Sequence, residues 1–297
     1  MQLIVIHNAR AGRKQKRIRS KITQFFARRG IPCEIQDYVR CDWEKVQRIC
    51  ESDPQTRIVV AGGDGTLRRV IEFLWQRRLL NHPVAFVPMG SGNLVAYSLR
   101  LPFNMRHAFE NAIVGAPKAL DLGILNDKYV FFLGAAMGKV TMITSRTERS
   151  LKKRFGLLAY ILRIPWSLSG GYTEALFNVR LHNDTPLINE NIRTHSFLVL
   201  NHLNVARLEP RRGVLANDGM LDVVTMHNTN FFGFILGLFS FYFGKGHSRM
   251  IRHFQTPTIR AEFEGFKEYV NLDGDYIEYP GSPLNFKVLP QAVLFIH

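Results

Sequence analysis

The sequence predicts an α/β chain, a doubly wound parallel sheet followed by a β-rich half, and two observations lead to it. From Met1 to about Leu120, an apolar, β-branched run passes three times into a loop of small residues and then into a helical pattern. Beyond Asp121 that alternation stops, and short strand patterns separated by turn residues take over. At 297 residues the chain is long enough for two domains, each with its own core. No low-complexity tract or internal repeat interrupts it.

The first unit is the strand Leu3–Ile6, the basic loop His7–Lys14 and a helix over Ile18–Arg29. The second is the strand from Ile58, the turn Gly62-Gly63-Asp64-Gly65 and a helix beginning near Thr66. The third is Val84–Pro88, Met89-Gly90-Ser91-Gly92-Asn93, and a short helix over Leu94–Leu99. In an open parallel sheet such loops gather at the carboxyl ends of the strands, where ligands bind. Glycines there let backbone N–H groups approach an anion, and a helix start aims its positive end at the same spot. The pattern suits a polyphosphate, and a carboxylate at Asp64 suits one that arrives with a divalent cation. The alternative reading of the turn is a plain strand-to-helix junction with Thr66 or Asp64 as N-cap.

In the second half, Ile124–Phe132 reads as a hairpin through Asn126-Asp127. Strands are expected at Glu174–Leu181, Ser196–Leu200, Leu221–Met226, Thr258–Phe263, Glu268–Leu272 and Leu284–Val288, forming a sandwich of antiparallel strands.

Composition narrows the class of partner. A formal charge of +15 draws a protein to nucleic acid or to an anionic membrane surface. No nucleic-acid module accompanies the charge, so nucleic acid is not expected as a partner. The basic stretch Arg146–Arg154 runs into the apolar segment Leu157–Leu162 and Trp166, a combination that suits peripheral contact with headgroups; a solvated helix end before a core helix is the other reading. Phe231–Phe243 is apolar throughout but shorter than the roughly 20 residues that span a bilayer. It reads as a core helix or as the lining of an apolar cleft with the basic segment Lys245–His253 at its mouth. Three cysteines, Cys33, Cys41 and Cys50, give neither a metal spacing nor a disulfide framework. With Met1 leading straight into a strand, a cytoplasmic location is expected. The oligomeric state is left open, a homodimer included.

Taken together, the motifs resemble the diacylglycerol kinase catalytic-domain family, which includes bacterial lipid kinases and the sphingosine and ceramide kinases. Asn8 to Gly12 is similar to its Asn-Pro-x-Ser-Gly opening, Gly62–Thr66 to its Gly-Gly-Asp-Gly-Thr signature, and Pro88–Asn93 to its Pro-x-Gly-Thr/Ser-Gly-Asn. Asp121-Leu122-Gly123, Asn217–Asp222 and Leu272–Asp275 resemble its later motifs, in the family's order. Leu94 and Asp275 depart from the pattern, standing where the family has Asp and Glu. The second change withdraws the carboxylate by roughly 1–1.5 Å, and a displacement of about 1 Å can cost on the order of a hundredfold in rate.

The resemblance implies a nucleotide-binding domain over residues 1–122, with 284–297 returning to it, a lipid-substrate domain over 123–283, and an active site in the cleft between them. It implies ATP and Mg²⁺ as cofactors and the γ-phosphoryl group passing to a lipid hydroxyl. Asn8, Gly12, Lys14, Gly62, Gly63, Asp64, Gly65, Thr66, Gly90, Ser91, Gly92 and Asn93 would then hold the nucleotide. Asp275, Asp273 and Asp64 are the candidate catalytic carboxylates, with Asp275 the positional equivalent of the family's late acidic base. Asp218, with the carbonyls of Leu215 and Met220, would hold a structural Mg²⁺; an Asx turn without metal is the alternative. Two other functions stay open: a soluble small-molecule kinase resembling NAD kinases, and an altered or non-catalytic nucleotide- and lipid-binding member of the family.

Overall fold

The computed structural model describes residues 2–11, 18–138, 140–141, 176–184, 187–202, 217–227, 251–266 and 269–297. In chain order the elements are β1 (Leu3–His7), α1 (Ile18–Ala27), β2 (Cys33–Asp37), α2 (Trp43–Ser52), β3 (Arg57–Gly62), α3 (Asp64–Gln76), β4 (Val84–Pro88), α4 (Leu94–Ser98), α5 (Met105–Val114), β5 (Pro117–Leu125), β6 (Tyr129–Phe131), β7 (Gly134–Gly138), β8 (Phe177–Asp184), β9 (Leu187–Thr194), β10 (Ser196–Leu200), β11 (Leu221–Met226), β12 (Ile251–Thr256), β13 (Thr258–Glu264), β14 (Val270–Leu272), β15 (Asp275–Ile277) and β16 (Leu284–Ile296). They fall into two compact units: Met1–Leu120 with Gln291–His297, and Asp121–Pro290.

In unit 1 the strands run parallel in the order β2-β1-β3-β4-β16, with Val5 opposite both Ile35 and Val59, Val59 opposite Ala85, and Phe295 opposite Val84. Strands covered on both faces read as unbroken apolar runs, which is why Leu3–Ile6 and Ile58–Val60 carry no polar residue. One face, with Val5, Val59 and Ala85, packs on Ile22 and Phe26 of α1 and Phe109 of α5. Alternate residues Ile4, Ile6, Ile58 and Val60 face the other way and are equally buried. Both ends of α5 are closed by side chains. Asn104 accepts from the N–H groups of Arg106 (2.9 Å) and His107 (3.2 Å) at the start of α5. At its far end, Arg57 donates to the carbonyls of Ala112, Ile113 and Gly115 at 3.0–3.1 Å.

Unit 2 holds two antiparallel sheets, β12-β11-β10-β7-β14-β15 and β9-β8-β13-β16, the latter through the first residues of β16. Both contribute to one core, with Met137, Phe197 and Val223 from the first meeting Val179, Phe263 and Phe286 from the second. The β5–β6 hairpin turns through Asn126 and Asp127, both at positive φ (51° and 50°), and the Lys128 N–H donates to the Leu125 carbonyl at 3.1 Å to close the turn.

The mixed α/β architecture expected from the sequence is present, with its parallel sheet in the N-terminal part and its antiparallel strands after it. Several strands go beyond the expected ones. β7, Gly-Ala-Ala-Met-Gly, has no β-branched residue, and its pairing with β10 and β14 makes it a strand. Small residues are needed there, since a Cβ on Gly134 would lie 2.8 Å from the Val199 carbonyl oxygen. Ile251–His253, read from the sequence as part of a basic segment at the mouth of an apolar cleft, instead begins the edge strand β12. The expected features at Arg146–Trp166, Phe231–Phe243 and 245–250 lie outside the described residues. No helix among the described residues is long and apolar enough to cross a membrane.

Candidate functional site

β1, β3 and β4 are neighbours, so the loops that leave their carboxyl ends share one edge of the sheet. Backbone bonds tie the edge together: the Asn8 N–H donates to the Ala61 carbonyl (2.9 Å) and the Met89 N–H to the Gly62 carbonyl (2.7 Å). Side chains complete it. The Asn8 amide donates to the Thr66 hydroxyl at 2.8 Å. The Asn93 carbonyl oxygen accepts from the Gly90 N–H (2.9 Å), and its amide donates back to the Gly90 carbonyl (3.0 Å). Asn93 itself sits at φ 53°, in the left-handed region that Asn tolerates better than most residues.

At two places only glycine fits. A Cβ on Gly90 would come 2.6 Å from the Gly63 Cα, and one on Gly62 would overlap the Thr66 side chain at 2.7 Å. The second and third loops therefore touch backbone to backbone. Gly63, the N-cap of α3, offers no side chain to the first-turn N–H groups of that 13-residue helix. Those donors and the helix dipole suit an anion.

Asp64 plays a part the sequence did not reveal. Its Oδ2 accepts from the Leu94 N–H and its Oδ1 from the Val95 N–H, both at 3.0 Å. The carboxylate thus binds the start of α4 while standing in the first turn of α3, and negative charge is favoured at both places. This gives Leu94 an explanation: the position contributes its main-chain N–H, which any side chain leaves in place. Of the residues expected at this site, Asn8, Gly62, Gly63, Asp64, Gly65, Thr66, Gly90, Ser91, Gly92 and Asn93 lie on this shared edge, whereas Gly12 and Lys14 are outside the described residues.

In unit 2 the late acidic turn separates its two aspartates. Asp273, at φ 53° and 6% exposed, accepts from the N–H groups of Phe132 (2.6 Å), Leu133 (2.8 Å) and Gly134 (3.0 Å). Expected as a possible proton acceptor, it is a buried latch on the 132–134 loop, its oxygens turned to backbone donors. Gly274, at φ 95°, completes the turn, with its N–H donating to the Asn271 side chain (2.9 Å). Asp275 opens β15 and is half-buried.

The Asp218 turn is an Asx turn, with Oδ1 accepting from the Met220 N–H at 3.0 Å. Leu215 lies outside the described residues. Partial desolvation pushes the Asp218 carboxyl above the usual carboxylate range, and the nearby Asp222 and Asp121 push it further the same way. Fully buried Asp121 accepts from the Gly219 N–H (2.7 Å). Asp222, equally buried, meets the His253 Nε2 with one oxygen, while the other has no hydrogen-bond partner among the described residues. Asn201 joins the group, its amide donating to the carbonyls of Asp121 (3.1 Å) and Phe132 (2.9 Å). None of Asp121, Asp222, His253 or Asn201 was singled out from the sequence as a site residue. The available signal was a lone carboxylate inside each of the apolar strands Leu-Asp-Leu and Leu-Asp-Val-Val.

For a cation, the fit differs between the two places. Among the described residues no group of three or more His, Cys, Asp or Glu side chains could hold a metal. Asp64, half-buried at the rim of the edge, fits a cation carried by phosphate oxygens and water rather than a protein cage. Near Asp218, the unpartnered oxygen of Asp222 is a buried acceptor that fits a hard cation.

Residues 2–125 match the sequence family described as the diacylglycerol kinase catalytic domain. The chain is 33% identical over 132 residues to "Probable lipid kinase YegS-like" of Enterobacter sp. (strain 638), which covers 42% of this chain and 44% of that protein, so the match spans less than half the relative's length. A protein of the same name from Shewanella frigidimarina (strain NCIMB 400) is 26% identical over 87% of this chain and 83% of its own. Among solved structures, a candidate diacylglycerol kinase from Bacillus anthracis str. Sterne superposes with a TM-score of 0.77 at 20% identity, covering 100% of this chain and 96% of that one. The glycine loops and ordered motifs thus fall where residues 2–125 are similar to the diacylglycerol kinase catalytic domain, and the chain as a whole shares the fold of that solved structure.

Proposed function

We propose that the protein is an ATP-dependent lipid kinase that transfers the γ-phosphoryl group to the hydroxyl of a diacylglycerol-like or sphingoid-like lipid. The observation that carries this reading is the loop edge of unit 1, where Gly63 meets Gly90, Asn8 meets Thr66 and Asp64 holds the start of α4 around an α3 N-terminus without a side-chain cap. Such an edge offers backbone donors to a polyphosphate at a spacing that side chains on those glycines would close. Phosphoryl transfer demands little covalent chemistry from protein groups; positioning and charge neutralisation dominate.

Gly63, Gly65 and Thr66 bind the phosphates, with Ser91 and Asn93 shaping the rim. Asp64 holds the third loop against the second and faces any cation through water. Mg²⁺ arriving with the nucleotide would supply charge neutralisation on the phosphate oxygens. Asp275 takes the proton from the lipid hydroxyl. Asp273 positions it, because the latch to 132–134 fixes the turn on which Asp275 stands. Asp218, with main-chain oxygens of its turn and the spare oxygen of Asp222, would hold a structural Mg²⁺.

A second reading, an altered nucleotide- and lipid-binding protein, is motivated by Asp275 standing where a Glu is usual. One experiment separates the two. Purified protein, Mg²⁺ and γ-labelled ATP are mixed with micelles of diacylglycerol, monoacylglycerol, sphingosine, ceramide and phosphatidylglycerol. Organic-extractable label is expected from the wild type, and Asp275→Ala is expected to lower it by at least about a hundredfold. Asp275→Glu discriminates further: a large gain in turnover marks the natural residue as a weakened base, and a loss marks a site adapted to Asp. Absence of label from every lipid while ATP still binds establishes the second reading.

A further inference from the structure

Between Glu72 and Glu110 the sequence carries no acidic residue, while Arg77, Arg78, Arg100 and Arg106 fall within that stretch. The same segment presents an exposed aromatic pair. Tyr97 and Phe103 are each 44% exposed, and their rings lie 4.3 Å apart, tilted by 46°. Large apolar side chains stacked on one another at the surface, in a segment of one charge sign, form a patch that asks for a partner.

The backbone holds this patch rigidly. α4 ends with the Arg100 N–H donating to the Tyr97 carbonyl (3.2 Å) and the Leu101 N–H to the Ala96 carbonyl (2.9 Å). Leu99 and Leu101 are buried, 5% and 4% exposed, and pin the connection from below, so Tyr97 and Phe103 are left outward. Arg100 stands at φ 56°, the left-handed position after a helix where glycine is the easy residue. The position sets a long cation three residues from each of the two rings in sequence. Arg106 pairs with Glu110, which Arg29 also engages, so two arginines share that one carboxylate. His107 is exposed beside them.

We infer that Tyr97, Phe103 and Arg100 form an interfacial anchor by which unit 1 docks on an anionic lipid bilayer. Tyr and Phe rings settle at the boundary between headgroups and acyl chains, and arginines beside them meet the phosphates of the lipids. A second copy of this chain fits less well, since it would bring the same positive patch and the same +15 charge against it. The inference deepens the lipid-kinase reading by naming a surface that delivers the enzyme to its acceptor; it is tested without nucleotide, so either can fail alone.

The test is co-sedimentation of the full chain with phosphatidylcholine vesicles and with phosphatidylcholine–phosphatidylglycerol vesicles, at low and high salt. The wild type is expected to partition onto the anionic vesicles and to be released by salt. Tyr97→Ser with Phe103→Ser lowers the partition coefficient by about tenfold or more, as expected for removing two buried interfacial rings. Arg100→Gly, which suits the local backbone, lowers it by roughly fivefold at low salt and has little effect at high salt. Unchanged binding in both variants overturns the inference. It is also overturned if light scattering shows a wild-type dimer that the aromatic variant dissolves, because the patch is then an interface between copies. If vesicle binding responds as expected while no lipid is phosphorylated, the anchor stands and the kinase reading falls.

Discussion

Asp64 in unit 1 and Asp273 in unit 2 both stand in glycine-bearing turns that a sequence reader would take for catalytic, and both bind backbone N–H groups. They differ in depth and number. Asp273 is buried and accepts three donors from one loop, whereas Asp64 is half-buried and accepts two from the start of a helix. A buried carboxylate that holds a nest of amides is a folding device, because its removal strands donors away from water. At the rim of a ligand edge, the same chemistry orders a loop and leaves room for a ligand. An aspartate in a Gly-Asp-Gly context therefore signals an organised backbone first and catalysis second.

The comparison predicts a ranking. Asp273→Ala should cost about 3–5 kcal/mol, since three backbone donors lose a charged acceptor, and urea denaturation would read it. Asp64→Ala should cost less, about 1–3 kcal/mol, because water can reach the freed amides. Equal losses would break the distinction between latch and clamp. Gly90→Ala sharpens it from the other side. The added methyl group meets the Gly63 Cα at 2.6 Å, so the second and third loops must part. A fall in affinity for a fluorescent ATP analogue is expected, with a stability cost of about 1–3 kcal/mol; full affinity would show that loop contact is not needed for the nucleotide.

A smaller effect is expected at the Asp218 turn. Mg²⁺ should raise the melting temperature of the wild type by a few degrees, roughly the shift that 1 kcal/mol gives in a chain of this size. Asp218→Ala should abolish that increment. If both proteins melt alike with and without Mg²⁺, the turn is an Asx turn alone.

The smallest effect belongs to the cysteines, all three free and in unit 1. Burial, first, and the neighbouring Glu34 push the Cys33 thiol up to about 12; burial with Asp42 and Asp37 does the same to Cys41, and burial with Glu51 takes Cys50 to about 11. Each folded thiol holds its proton more tightly than an unfolded one, which ionises near about 8.5. Their contribution is thus complete below about pH 8.5 and is lost as pH rises toward 11–12. Melting curves between pH 8 and 10 should decline less steeply in Cys33→Ser with Cys41→Ser than in the wild type.

Much of the fold was legible because it depends on local pattern. Leu3–Ile6, Ile58–Val60 and Val84–Val87 are buried on both faces, so their sequences had to be unbroken apolar runs. Ser196–Leu200 and Leu221–Met226 appear as strands with the expected bounds. Asn126-Asp127 announced a hairpin, since few residue pairs accept two left-handed conformations in a row. β7 and β12 were not legible. Neither Gly-Ala-Ala-Met-Gly nor Ile-Arg-His-Phe-Gln-Thr has a strong strand preference, and the partners that make them strands lie far along the chain.

By itself, then, the sequence determined the glycine-rich loops, their order and the shared strand edge, because backbone conformation and apolar periodicity are local properties written residue by residue. Only the tertiary structure decided what the carboxylates do. Which amides face Asp64 and Asp273, and which buried oxygen of Asp222 is left over, depend on contacts between residues 30 to 141 positions apart, and a hydrogen bond leaves no trace in the sequence until both partners are in place.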